Sequence, residues 1–243
     1  MECGLVEPCT ADTETLTNKG ERAMKSMKTV LSLVVVMMVA FAVWAWAQDL
    51  PDIALPAPRM DGGKPLMQAL KDRQSTRAFT TEKLPIQVVA DLLWAAAGIN
   101  RTDSGKRTAP SARNWQEVEV YAITEDGAYL YDAKTNSLKA VAKGDLRKLT
   151  GSQEFVTSAP LNLVYVADTT KMTGSSPDDQ PLYLGADTGF ISQNVYLFCA
   201  SEGLGTVVRG SVDRKALAEA LKLNEQKKIT LAQTVGYPAD EGK

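Results

Sequence analysis

The chain contains no histidine. That removes Ser-His-Asp triads, Cys-His pairs and His-ligated zinc, and leaves Lys, Tyr and carboxylates as the possible acids and bases. Three short segments hold the remaining groups that could do chemistry. The first is Arg73-Gln74-Ser75-Thr76-Arg77-Ala78-Phe79, just past a predicted helix end. Two arginines flanking a serine offer bidentate and hydroxyl donors suited to a phosphate. A basic helix end is also an ordinary solvated cap favoured by the helix dipole. The second is Thr108-Ala109-Pro110-Ser111-Ala112-Arg113-Asn114, a loop leading into a strand. Its small residues let a flat ring approach the backbone, and Ser111 and Asn114 could bond that ring's polar edge; an ordinary connection has the same composition. The third runs from Glu202 to Gly210, where Gly203 and Gly205 permit a tight turn and Arg209-Gly210 follows the apolar Val207-Val208. There is neither a G-x-G-x-x-G nor a G-x-x-x-x-G-K-[ST] pattern, which argues against a Rossmann or nucleoside-triphosphate site.

The elements that must position these segments follow from hydrophobic periodicity. A short helix is predicted at Leu66–Arg73, with Leu66, Ala69 and Leu70 on one side. Pro85 opens a second helix, in which Ile86, Val89, Leu92 and Leu93 recur at helical spacing until Gly98. Residues 100–115 read as irregular. Val118, Val120 and Ala122 alternate with Glu119 and Tyr121, which predicts a strand, and Asp126-Gly127 turns it into a partner at Ala128–Tyr131. Lys143–Thr150 and Gln153–Ser158 are expected as short helices, Leu161–Ala167 as a buried strand and Lys171–Gln180 as a loop that either gates a site or simply crosses the surface. Tyr183–Glu202 is apolar on nearly all sides and has Gly203 where a C-terminal cap belongs. Such a helix belongs at a domain centre or an interface. A strand at Thr206–Val208, a helix at Asp213–Leu221 and a strand at Ile229–Val235 complete the domain. The interleaving lacks a strict βαβ repeat, so the fold class is α+β with a mixed or antiparallel sheet flanked by helices.

Charge is nearly balanced, with 27 basic and 29 acidic residues in 243, and no basic face of the kind that binds nucleic acid is apparent. At the N-terminus, Lys25 and Lys28 precede an apolar run from Val30 to Val43, followed by Ala45-Trp46-Ala47. A basic region, an apolar region and an A-x-A site form the pattern of a secretory signal peptide, and an uncleaved membrane anchor is the alternative. The expected organisation is therefore residues 1–23 upstream of the true start, 24–47 as signal or anchor, 48–64 as a Pro/Gly-rich linker, and 65–243 as the domain. Either reading of 24–47 places the domain outside the cytoplasm, most simply in a periplasm, with the membrane as a partner only if the segment is uncleaved. Of the three cysteines only Cys199 follows that segment, and its apolar surroundings predict a buried, inert thiol.

Taken in order, the three segments resemble the FMN-dependent nitroreductase family. Arg73-x-Ser75-x-Arg77-x-Phe79 is similar to its R-x-S-x-[RK]-x-F signature, and Pro110-Ser111-Ala112 with Asn114 to its second flavin loop. The run from Gly189 through Gln193-Asn194-Val195-Tyr196-Leu197 to Gly203-Leu204-Gly205 resembles its central helix and the turn after it. Ala109-Pro110-Ser111-Ala112 and Val235-Gly236-Tyr237-Pro238 lean toward the branch that includes azoline-oxidising dehydrogenases. The similarity covers about residues 64–240.

The resemblance implies a homodimer with FMN at the subunit interface and the long helix in the dimer core. By matching positions, Arg73, Gln74, Ser75 and Arg77 bind the phosphate and ribityl groups. Pro110, Ser111, Ala112 and Asn114 line the isoalloxazine ring, and Val208, Arg209 and Gly210 approach it from the other side. The chemistry implied is two-electron transfer from a small-molecule donor to an acceptor such as a nitroaromatic or a quinone, with no catalytic side chain and no metal. Two alternatives are a dehydrogenase that oxidises a ring or peptide substrate without nicotinamide, and a flavin-binding module without turnover. Many members add basic residues for the flavin phosphate in a C-terminal tail. Here the sequence runs to Lys243, seven residues beyond Gly236, so Arg209 or Arg113 is expected to compensate.

Overall fold

A computed structural model describes residues 50–239. Residues 24–47, expected as a signal or anchor, and Lys243 lie outside the described residues, and no described helix is long and apolar enough to cross a membrane. The strands are β1 (Ile53–Ala54), β2 (Ile99–Arg101), β3 (Lys106–Arg107), β4 (Val118–Ile123), β5 (Gly127–Asp132), β6 (Ser137–Lys143), β7 (Leu161–Asp168), β8 (Gly205–Arg209) and β9 (Lys227–Gly236). The helices are α1 (Leu66–Asp72), α2 (Ile86–Ala97), α3 (Phe155–Ser158), α4 (Gln180–Glu202) and α5 (Arg214–Ala220). Seven strands form one sheet in the order β1-β6-β5-β4-β7-β9-β8, with every neighbouring pair antiparallel. The sheet is thus the antiparallel form of the predicted α+β class.

Alternation along the central strands decides what covers each face. Val118, Val120 and Ala122 of β4, with Leu161, Leu163 and Tyr165 of β7, pack with the buried residues of α2 and α4. Tyr121, Ile123, Val164 and Val166 point the other way and meet Leu217 and Leu221 from α5 and the residue after it. Gln233, buried between α4 and the sheet, is paired: it accepts from the Tyr165 hydroxyl (2.6 Å) and donates to Thr206 Oγ1 (3.1 Å) and to the Ser192 carbonyl. Cys199 is fully buried, and burial pushes its thiol pKa up, as an inert core cysteine requires.

Several expectations change. Residues 50–65 are laid along the domain. β1 pairs with β6 at the sheet edge, Leu55 is buried, and Arg59 clamps the buried Asp91 of α2 through its backbone N–H (2.8 Å) and its guanidinium (2.7 Å). Pro and Gly content predicted a linker, but a carboxylate fixed on α2 gives the arm something to bind. The expected helix at 143–150 is the end of β6 and a 3-10 turn, Arg147–Thr150, because β6 itself was missed: its Leu-Lys-Ala-Val-Ala run has no clean two-residue alternation. The first part of residues 100–115, read as irregular, belongs to the small β2–β3 hairpin.

Two helices expose apolar surface. In α1 only Ala69 is buried, while Leu66, Met67 and Leu70 are 63%, 76% and 44% exposed. In α4 the buried side is Thr188, Ile191, Ser192, Val195 and Cys199, at helical spacing. The opposite side leaves Leu182 70% and Phe190 47% exposed. The helix expected to be buried all round is covered on one side only within a single chain.

Candidate functional site

The first predicted segment lies along β8, the outermost strand next to β9. An edge strand presents unpaired N–H and C=O groups that must be blunted or covered. Residues 75–79 do the covering: the Thr76 N–H donates to the Thr206 carbonyl (2.9 Å), and Phe79 bridges to Pro238. Gly205 permits this approach, since a Cβ there would come within 2.9 Å of the Thr76 side chain. Gly203, in the left-handed conformation at φ 73°, ends α4 as its position predicted.

One tyrosine ties this segment to the helix and the strand. The Tyr196 hydroxyl lies 2.9 Å from Ser75 Oγ and accepts from the Val208 backbone N–H at 3.0 Å. The Arg73 guanidinium sits over the Tyr196 ring, 5.4 Å from its centre, within cation–π range. Three predicted residues from two segments therefore converge on a side chain to which sequence reasoning gave no role. Its signal was available: a tyrosine on the buried side of an apolar helix needs a partner for its hydroxyl.

Arg73 and Arg77 have no carboxylate partner among the described residues, while Arg59, Arg147, Lys64 and Lys83 are all paired. Gln74, Ser75 and Arg77 are exposed. Neither of these cations on either side of a serine is spent on a described carboxylate.

Among the described residues, the second segment holds the densest group of left-handed non-glycine residues. Arg113, Asn114 and Gln116 have φ of 49°, 58° and 50°, a left-handed conformation unusual for non-glycine residues and concentrated here in four positions. The loop is held from within, as Ser111 Oγ accepts from the Gln116 N–H (2.9 Å) and Asn114 Oδ1 from Gln116 Nε2 (3.1 Å). It is held from outside by Asp187 of α4, whose Oδ2 accepts from the Ala112 N–H at 2.9 Å, and by Trp115, whose indole donates to the Thr173 carbonyl. Pro110 at its tip is exposed. Arg113 Nη1 donates to the Gly174 carbonyl (2.9 Å), which turns that side chain toward residues 171–180.

The third segment corrects an expectation. The Arg209 side chain is 6% exposed and turned inward, where its guanidinium donates to the Thr150 carbonyl, Asn162 Oδ1 (2.8 Å) and Thr234 Oγ1 (2.6 Å). Phe155 lies under it at 5.7 Å, and burial pushes its pKa down to about 10. Both terminal nitrogens are spent inside the domain, on the 147–150 turn, β7 and β9, and Nε is buried without a partner, so the side chain is turned away from any phosphate at the surface. Arg113 likewise spends a donor, on the Gly174 carbonyl of the 171–180 segment. The Val208 N–H is taken by Tyr196, and of this segment only Gly210 is exposed.

Within one chain the first two segments do not meet. Ser75 contacts α4 at Tyr196 and Ala112 contacts it at Asp187, nine residues earlier. Nine residues of helix span about 13 Å and two and a half turns, so the attachment points lie on opposite sides of α4.

The sequence pattern of the Nitroreductase family matches residues 70–237, which includes all three segments. The chain belongs to the nitroreductase family. A provisionally named nitroreductase of Methanocaldococcus jannaschii is 29% identical over 170 residues, 66% of this chain and 85% of that protein. The crystal structure of a provisionally named nitroreductase from Ralstonia eutropha is 43% identical, covers 78% of this chain and 90% of that one, and superposes with a TM-score of 0.75. A structure described as an NADH oxidase from Clostridium acetobutylicum, also provisionally named, is 25% identical over 71% of this chain and 89% of its own, with a TM-score of 0.51. Membership of this family places the chain among flavin-dependent oxidoreductases.

Proposed function

We propose that this nitroreductase-family protein binds FMN and transfers two electrons from a small-molecule donor to an acceptor such as a nitroaromatic or a quinone, as a homodimer outside the cytoplasm. The observation that carries the cofactor assignment is the pair Arg73 and Arg77, which flank Ser75 without a carboxylate partner among the described residues. A fold that leaves two guanidinium groups unpaired beside a hydroxyl has a place for a phosphate dianion. Gln74 and Ser75 then face the ribityl chain, and the small residues Ser111 and Ala112 with Asn114 leave room for a flat ring. When bound, FMN supplies hydride chemistry between donor and acceptor, and the protein supplies binding, orientation and exclusion of water.

The placement of the segments on α4 supports a site shared between two copies. The Ser75 segment and the exposed apolar side chains of α1 lie toward the C-terminal end of α4, where Lys64 bonds Ser201. The Ala112 loop, Leu182 and Phe190 lie toward its N-terminal half. Two copies related by a two-fold axis, with their α4 helices antiparallel, cover both apolar patches and bring one copy's arginines to the other's loop. NADH is the first donor to try, since a relative's description names it. The expected export favours a second reading, in which the enzyme oxidises a ring or peptide substrate and needs no nicotinamide.

The test is the visible spectrum of the purified protein after incubation with FMN and desalting, with its mass measured in parallel. Retained flavin at about one per chain in a dimer supports the reading, and addition of NADH separates the two donors by whether the bands bleach. A colourless protein that fails to quench FMN fluorescence overturns it.

A further inference from the structure

Beneath the strained loop two carboxyl groups face one another out of contact with water. Asp187 of α4 is 3% exposed and holds the Ala112 N–H. Glu117, where the loop enters β4, is fully buried, and neither of its carboxylate oxygens has a hydrogen-bond donor. Its backbone is fixed separately, because its carbonyl accepts from the Asp168 N–H at 3.0 Å. The charged groups that bear on the Glu117 side chain are Asp187, from α4, and Lys171, from the turn Thr169–Lys171. The Lys171 ammonium is already bound to Glu119 at 3.1 Å.

A buried carboxylate with no donor on either oxygen, set against a second carboxylate, is not a stable ion. Protonation resolves the conflict, since the neutral acid gains an O–H donor and Asp187 is the acceptor in front of it. Burial, and then Asp187, push the Glu117 pKa up to about 7.

We propose that Glu117 and Asp187 form a one-proton carboxyl pair that positions the Ser111–Asn114 loop for the flavin ring. Neutral Glu117 donates to Asp187 and fixes its carboxylate, and Asp187 in turn fixes the loop through the Ala112 N–H. When Glu117 gives up its proton to solvent, two anions stand behind the loop and Asp187 is driven off its position. Neither residue is catalytic, because both act through the loop. The positioning of the loop stands on this chain alone, whereas its consequence for flavin rests on the FMN reading above.

The experiment has one readout without flavin and one with it. Trp115 lies in the loop, edge-on to Tyr183 at 5.4 Å, so the share of tryptophan emission lost in Trp115→Phe reports the loop's state. In the wild-type protein that emission is expected to change in a single step near neutral pH. In Glu117→Gln, whose amide donates to Asp187 at every pH, the step disappears. FMN affinity of the wild type falls about tenfold across the same step, the worth of one hydrogen bond to a charged acceptor. Glu117→Gln keeps the low-pH affinity throughout. An emission step that vanishes in Glu117→Gln supports the pair even if FMN never binds, and then only the flavin reading fails. FMN bound with no pH dependence, and no emission step, overturns the pair and leaves the flavin reading standing. A step that persists unchanged in Glu117→Gln also overturns it. Should Glu117→Gln fail to fold, infrared difference spectra of the wild type decide the matter: a protonated-carboxyl carbonyl band lost through neutral pH supports the pair, and its absence overturns it.

Discussion

Removing one oxygen from Tyr196 tests whether the β8 edge and the arginine segment are organised as a unit. Tyr196→Phe keeps the ring under the Arg73 guanidinium but deletes the hydroxyl that joins Ser75 Oγ at 2.9 Å and accepts from the Val208 N–H at 3.0 Å. The two lost bonds are not equal. Ser75 is exposed, and its hydroxyl turns to water at little cost. The Val208 N–H lies on the outer side of the last strand, half-buried under residues 73–79, and loses its acceptor. A stranded backbone donor costs about 1–3 kcal/mol, and partial access to water puts this one near the lower end. The expected loss of stability is therefore about 1–2 kcal/mol, read from denaturant midpoints at an unchanged slope. Because Ser75 is also set free to rotate, FMN affinity should fall by about tenfold, corresponding to about 1.4 kcal/mol, in fluorescence titration. A variant as stable as wild type, with unaltered FMN affinity, would refute the claim that Tyr196 organises the site. A variant that loses stability but binds FMN normally would reduce Tyr196 to an edge cap.

Two more outcomes follow from the buried charges. Arg209→Met strands the Thr150 carbonyl, while Asn162 Oδ1 keeps the Thr234 hydroxyl as a donor (2.6 Å), and it relieves a desolvated cation; the stranded carbonyl wins, for an expected loss of about 1–3 kcal/mol. At a temperature where the variant is folded its FMN affinity should match wild type, whereas Arg73→Ala should weaken binding at least several-fold; the reverse ranking would return Arg209 to the phosphate. The Glu117 carboxyl has its folded pKa raised above the unfolded value, so the folded state holds the extra proton between pH about 4.5 and about 7. Unfolding free energy should decline as pH rises through that window, by roughly 1–3 kcal/mol, and level off above it. Glu117→Gln should lose that decline, and an equal decline in the variant would assign it to other groups.

Much of this molecule is legible in the order of its residues. The period-two alternation of Val118, Val120 and Ala122, the helical spacing from Ile86 to Leu93 and the glycine after Glu202 each depend on neighbours a few positions away, and all three elements are present as read. The motifs that identify the family are local in the same sense, since phosphate and ring recognition use short stretches of backbone and adjacent side chains. β6 was lost because its composition lacks alternation, and it becomes a strand only because β5 and the 50–56 arm pair with its two edges.

Pairings across long separations were decided by the fold alone. Arg209 reads as a site residue in sequence, next to a glycine after an apolar strand. Its direction was settled by Thr150, Asn162 and Thr234, which are 25 to 59 positions away and present three acceptors on the inner side of β8. Tyr196 drew no notice because its partners, Ser75 and the Val208 N–H, arrive from a different segment and from a strand edge. Asp187 and Glu117 are two unremarkable acids 70 residues apart in the chain. They become a coupled pair only where α4 crosses the start of β4 and water is shut out, because it is low dielectric at short range that makes two carboxyl groups share a proton. Sequence thus marked which residues would recognise a flavin under the proposed function, and tertiary structure decided which of them face outward, what holds them, and that Ser75 and Ala112 attach to α4 nine residues apart.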